Sequence, residues 1–256
     1  MKLTNENYHT VDMNQKYFSV SQFKRFATCP AAALAELRGE CETESTTSLL
    51  VGGFIDAYFE GSLDQFREEH PEIFRKDGAL KSDYAQAEAI IKRIERDKLF
   101  MEYMRGEKQV VMTGIINGVE VKVKIDVLAS DRIVDLKIMR DFADVYVPDK
   151  GKTPWFEAWS YDMQGAVYQE IVRQNTGRKL PFFLAGATKE RVPDIELLHI
   201  SQKLLDYALD SFSADVQVYD AMKKGAIPVE RCEKCEYCKS TKILTAPTEA
   251  ENYYFL

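Results

Sequence analysis

Between residues 109 and 139 the hydrophobic pattern has the period of strands. QVVMTGII (109–116), VEVKVKIDVLA (119–129) and RIVDLKIM (132–139) place apolar residues at alternate positions or in short runs. Asn117-Gly118 between the first two is a hairpin turn signal. On either side the apolar positions recur every three or four residues. Residues 19–38 open with a capping serine, carry Phe23, Phe26 and Ala27 at helical spacing, break at Cys29-Pro30 and resume over Ala31 to Leu37 with proline in the first turn. LLVGGFIDAYFEG (49–61) predicts a tight Gly-Gly start and a short helix. Residues 82–105 predict a long amphipathic helix burying Ile90, Ile91, Ile94, Leu99 and Phe100. After the loop VPDKGKTP (147–154), a helix is predicted over 155–174, strands in KLPFFLAGAT (179–188) and IELLHI (195–200), and a last long helix over 201–225. Helices flanking a central block of strands predict a single α/β domain over residues 1–256, built on a mixed β-sheet.

The stretch KIDVLASDRIVDLK (124–137) carries charges inside a strand pattern. A turn centred on Ser130-Asp131 sets Val127 against Val134, Ile125 against Leu136 and Val123 against Ile138, so one face is wholly apolar. On the other face Asp126 opposes Asp135 and Lys124 opposes Lys137. Directly opposed like charges destabilise a sheet. A divalent cation shared by the two carboxylates resolves the conflict, and Mg²⁺ is a hard ion suited to oxygen ligands. Lys137, two residues after Asp135, shares its face and would lie beside the ion, placed to orient or help deprotonate a water, or to stabilise charge on a phosphate. A solvated sheet face whose charges carry no chemistry is the alternative.

Composition bounds the rest. With 256 residues, 45% of them hydrophobic and 29% charged, the chain has the balance of a soluble folded protein. The formal net charge of −7 argues against a surface coated to hold nucleic acid, though a local basic channel is compatible with it. His9, His70 and His199 stand in unrelated contexts, so a histidine-based site is not expected. The N-terminus lacks a signal pattern and no apolar run approaches a membrane span, so a cytoplasmic location is expected.

Asp126, a short hairpin and then Asp135-Leu136-Lys137 resemble the core of the PD-(D/E)xK nuclease superfamily. Gln164 and Tyr168, one turn apart on the predicted helix after the hairpin, resemble the Q-x-x-x-Y pair of its RecB-like branch. SVSQFKRFATCP resembles the N-terminal helix of RecB, AddB and related nucleases, and VGGFIDAYFEG resembles their G-x-x-x-H segment, with Asp56 where a metal-binding histidine is usual. Together these motifs run from residue 19 to about 240, and the pattern is most similar to compact phage-encoded exonucleases related to the nuclease domain of RecE.

This resemblance implies a restriction-endonuclease-like core and Mg²⁺-dependent hydrolysis of DNA (Mn²⁺ could replace Mg²⁺), starting from an end. Asp126, Asp135, the Leu136 carbonyl and Asp56 would hold metal; Lys137 would assist the attacking water, with Gln164 and Tyr168 beside the site. It further implies phage or mobile-element recombination, a single-strand annealing protein as a partner, no membrane, and room for a homo-oligomer. A non-catalytic DNA-binding or scaffold module on the same fold remains the rival reading.

Cys232, Cys235 and Cys238 have C-x2-C-x2-C spacing within the Cys-rich segment 229–244, which suits an iron–sulfur cluster with Cys29 as the remote fourth ligand. AddB-like relatives join the ends of the domain with a [4Fe–4S] cluster in this way, using a longer final spacing. Zn²⁺ also accepts four thiolates, and three reduced thiols without metal are the third possibility. Cys41 has no partner in this scheme. Lys122, Lys124, Lys150, Lys152, Trp155 and Trp159 are weaker candidates for contacts with nucleic acid.

Overall fold

A computed structural model describes residues 2–41, 46–148, 150–247 and 249–250; Asp149 of the expected loop 147–154 lies outside them. The chain opens with three short helices, α1 (Val11–Lys16), α2 (Val20–Thr28) and α3 (Pro30–Leu37). Ser19 caps α2 by accepting from the Gln22 amide, and extended Cys29 with Pro30 behind it separates α2 from α3. Then come α4 (Thr47–Glu60), α5 (Leu63–Glu69), α6 (Ser82–Glu95) and α7 (Lys98–Tyr103). The predicted helix over 82–105 is thus two helices, because Asp97 caps a fresh start by accepting from the Phe100 amide at 2.9 Å. The turn this makes leaves Leu99 60% exposed rather than buried. The glycines expected to start the next segment lie inside α4, which Thr46 caps a turn earlier, accepting from Leu49.

The strands β1 (Glu107–Ile116), β2 (Val119–Leu128) and β3 (Ile133–Met139) follow, then a small hairpin of β4 (Val145–Val147) and β5 (Gly151–Thr153) that overlaps the expected loop 147–154. Helices α8 (Trp155–Ala158) and α9 (Tyr161–Thr176) replace the single helix predicted over 155–174; Ser160, at φ 53°, turns the chain between them. The remaining elements are β6 (Phe182–Thr188), β7 (Ile195–Ile200), α10 (Gln202–Lys223) and α11 (Glu236–Ser240). The main sheet has the order β1-β2-β3-β6-β7, with β3 and β6 parallel and the other neighbours antiparallel, the mixed sheet the pattern predicts.

Each face of this sheet has its own core. On one side α9 lies across β1, β2 and β6, with α10 and α2 behind it, burying Phe23, Phe26, Val167, Ile171, Phe182 and Phe212. On the other, α4 and α6 cover β3 and β6 over Phe54, Ile55, Ile90, Ile94, Val134 and Leu136. A fully buried side chain of these kinds contributes about 1.5–3 kcal/mol. Strand β3 and its neighbours are therefore covered on both faces, and charged residues placed there are forced to find partners.

Candidate active site

Strands β2 and β3 pair in the predicted register, Leu128 with Ile133 and Val127 with Val134, and there the ladder ends. The expected cross-strand oppositions of Asp126 with Asp135 and of Lys124 with Lys137 do not form as rungs. In place of a backbone partner, the Leu136 amide donates to Asp126 Oδ2 at 2.9 Å. A carboxylate inserted into the ladder wedges the two strands apart, while β2 stays paired with β1 on its other edge. Within a strand a residue's N–H and C=O point to the same edge. The Leu136 carbonyl thus faces the same opening as Asp126. Gln109, opposite Asp126 on β1, takes a left-handed φ of 52° and brings its amide nitrogen to 3.4 Å from Asp126 Oδ1.

Asp135 is 1% exposed, on the face of β3 turned to α9. Its Oδ2 lies 2.5 Å from the Lys137 ammonium, and Oδ1 accepts from Gln164 Nε2 at 2.8 Å. The same Gln164 amide nitrogen donates to the Tyr168 hydroxyl at 2.9 Å. Its two hydrogens so tie the Gln-x-x-x-Tyr pair to the β3 carboxylate. The close approach of α9 depends on Gly165, where a Cβ would lie 2.2 Å from the Phe182 ring on β6.

Burial pushes the Asp135 carboxyl up to about 7, against the pull of Lys137 and aided by the charge of Asp126. Burial works against a charged Lys137 too, but Asp135 and Asp126 outweigh it and hold the ammonium protonated. A lysine held this way acts through its charge; it is not a base in the resting site. The hydroxyl of Tyr168 is buried and resists ionisation, first through desolvation and then through the neighbouring carboxylates.

Asp56 reaches the same place from α4, in a small cleft lined with Phe59, Glu60, Met104, Lys108, Gln109, Asp126, Val127 and Leu136. Burial, and then the charge of Asp126, raise its carboxyl well above the usual range, with Lys137 opposing. Asp135 Oδ2 is buried with no aligned hydrogen-bond donor. The carboxylates of Asp56, Asp126 and Asp135, with the Leu136 carbonyl facing the same opening, form a donor set of hard oxygens, which fits Mg²⁺ or Mn²⁺.

Sequence reasoning missed four neighbours. Glu60 lies one turn from Asp56 in the cleft, a spacing of four that could have been read from the helix. Lys108 lines the same cleft. The Tyr161 ring has the Lys137 ammonium 5.0 Å from its centroid and that of Lys24, from α2, at 4.9 Å. Lys24 donates to the Trp159 carbonyl at 2.6 Å, and burial together with repulsion from Lys137 lowers it to about 8. Of the weaker candidates, Lys122 is buried, donating to the Tyr8 carbonyl and to Asn14 Oδ1, and Trp155 belongs to the core. Trp159 is exposed beside Lys24, while Lys150 and Lys152 are exposed around the β4–β5 hairpin.

The cysteines converge at the other end of α2. Cys29 Sγ lies 3.5 Å from Cys238 and 3.8 Å from Cys235, and Cys232 lies 3.9 Å from Cys238. All four sulfurs fall within 4.8 Å of one another, a group that can hold a metal ion. Cys41 stands outside it. Among the described residues no helix is long and apolar enough to cross a membrane.

Residues 19–241 match the family described as "PDDEXK-like domain of unknown function (DUF3799)". A solved structure described as a "Putative exonuclease" from Eubacterium rectale is 46% identical, covers 99% of this chain and 98% of its own, and superposes with a TM-score of 0.94. A second solved structure, of a protein named SSO0001, shares 13% identity over 73% of this chain and 84% of its own, with a TM-score of 0.30, too low to bear on the fold. No curated protein matches. By the span of the family match and by its likeness to that relative, the chain belongs to the PDDEXK-like domain family.

Proposed function

We propose that the protein is a metal-dependent deoxyribonuclease, one PD-(D/E)xK nuclease domain that hydrolyses DNA phosphodiester bonds from an end. The observation that carries this reading is the joined set Asp126–Leu136–Asp135–Lys137, locked to α9 through Gln164. Asp126, Asp135 and the Leu136 carbonyl would hold Mg²⁺, with Asp56 as a further carboxylate at the same cleft. An ion held by these residues would supply polarisation of the phosphate and a lowered pKa for a bound water.

The chain's own groups account for the remaining work. Lys137, fixed as an ammonium, orients the attacking water and stabilises the charge that grows on the phosphate. Gln164 fixes the Asp135 carboxylate so that its second oxygen stays directed at Lys137 and the opening. Tyr168, uncharged, holds the Gln164 amide in place from behind. Lys24 and Trp159 form a rim where a phosphate and a base would meet the protein.

The similarity to the structure described as a "Putative exonuclease" from Eubacterium rectale supports action from an end. A setting in phage or mobile-element recombination, and a strand-annealing partner, are supported by the likeness of the sequence motifs. The direct test compares linear and covalently closed circular duplex DNA of the same sequence, incubated with the protein and Mg²⁺. Short products from the linear form, with the circle left intact, are expected. Equal cutting of both forms would make the protein an endonuclease. Binding without cleavage of either form would make it a DNA-binding module.

A further inference from the structure

We infer that Cys29, Cys232, Cys235 and Cys238 bind a single Zn²⁺ ion that ties the C-terminal segment to the joint between α2 and α3. A single ion and a cluster demand sulfur cages of different size. Four thiolates on one zinc ion, each about 2.3 Å from it, stand at the corners of a tetrahedron with edges of about 3.8 Å. The three sulfur–sulfur distances of 3.5, 3.8 and 3.9 Å are edges of that figure, and the whole group lies within 4.8 Å. In a cubane each thiolate binds a different iron, so the sulfurs sit one bond beyond the corners of a cube and are spread to roughly 6 Å or more. The spacing of these sulfurs is that of a site for one ion, closer than the thiolates of a cubane stand.

The backbone around the sulfurs is built to hold thiolates. The amides of Lys234 and Cys235 approach Cys232 Sγ at 3.5 and 3.3 Å, and the Cys238 amide approaches Cys235 Sγ at 3.4 Å. Such N–H groups stabilise sulfur that carries negative charge, and they orient the thiolates from behind. They exist because the C-x2-C turn wraps its own sulfur and then caps α11. Cys29 comes from the extended break between α2 and α3, and Cys29 and Cys238 are both buried. Around them lie small or partly buried groups, Ala31, Ala32, Val229 and Tyr237, with one backbone bond from the Ala31 amide to the Glu230 carbonyl at 3.1 Å. So modest an apolar patch leaves much of the attachment of the C-terminal segment to the ion, whose binding energy is folding energy. Since α2 also carries Lys24, the same ion steadies the helix that supplies the rim of the cleft.

The test is a metal count on the full-length protein, purified anaerobically from cells supplied with both iron and zinc. About one zinc per chain is expected, with colourless protein and zinc released in step with thiol modification. Iron with acid-labile sulfide, giving a brown protein that absorbs near ~400 nm, would overturn the assignment in favour of a cluster. Protein that neither carries zinc nor gains thermal stability when refolded with it would overturn metal binding altogether. Cys238→Ser should lower the zinc content at least about tenfold and reduce the melting temperature. None of these readings uses DNA, so they stand or fall apart from the nuclease assignment.

Discussion

Asp135 is buried against a cation and yet remains a weak acid, and this conflict makes its protonation measurable. Its carboxyl is pushed up to about 7 by burial, whereas in the unfolded chain it titrates near the ordinary aspartate value of about 3.9. Between those values the folded state binds more protons than the unfolded one, so stability falls as pH rises from about 4 to about 7. Asp135→Asn removes that dependence. In buffer without added divalent cations, the melting temperature of the variant relative to wild type should climb across this window. Parallel curves would contradict the burial of an ionisable group there. Added Mg²⁺ should then raise the wild-type melting temperature more at pH 8 than at pH 5, because the ion binds the ionised carboxylate. Calorimetric scans at the two pH values check this. At this scale the sequence was largely legible. Asp126, Asp135, Lys137, Gln164 and Tyr168 come together, although through the Leu136 amide and Gln164 and not through the expected opposition of Asp126 and Asp135. Lys122 misleads, because its position on the polar face of β2 reads as solvent. The N-terminal segment covers that edge through a bridge from Phe18 to Val121, a non-local contact that strand alternation does not encode.

Element by element, the site depends on how near α9 can come to the sheet. Gly165 allows the helix to lie against Phe182, and one methyl group there would sit inside the ring's contact distance. Gly165→Ala should force the helix outward and cost about 1–3 kcal/mol in urea denaturation. As Gln164 withdraws from Asp135, nuclease activity should fall by an order of magnitude or more. Unchanged stability and activity would show that the approach of α9 is not what positions the pair. Helix boundaries were less legible than the elements themselves. Two predicted helices, over 82–105 and 155–174, each proved to be two, one restarted by a cap at Asp97 and one turned by a left-handed Ser160. Apolar periodicity runs through both breaks, because each pair of helices covers the same core. The hairpin register was readable from the alternation of β2 and β3. Its early end was not, since it follows from Asp126 bonding to the Leu136 amide.

At the scale of the whole molecule, the sheet is covered on both sides and opens where β2 parts from β3. Side chains reach that opening from both layers, Asp56 from α4 and Gln164 from α9, so the cleft sits where the two cores meet. The alternating strands and flanking helices made the mixed α/β architecture legible. The sequence spacing of the cysteines suggested a metal, and the fold brings the four sulfurs within 4.8 Å of one another, a group that can hold one. We propose that this opening is the hydrolytic centre. The most direct test is the rate of hydrolysis of end-labelled linear duplex DNA in Mg²⁺ by wild type, Asp135→Ala and Lys137→Ala, each shown to be folded by its melting curve. Loss of at least about a hundredfold in both variants is the expected result, since each removes a group that acts on the developing charge. Hydrolysis at the wild-type rate in either folded variant would contradict the claim.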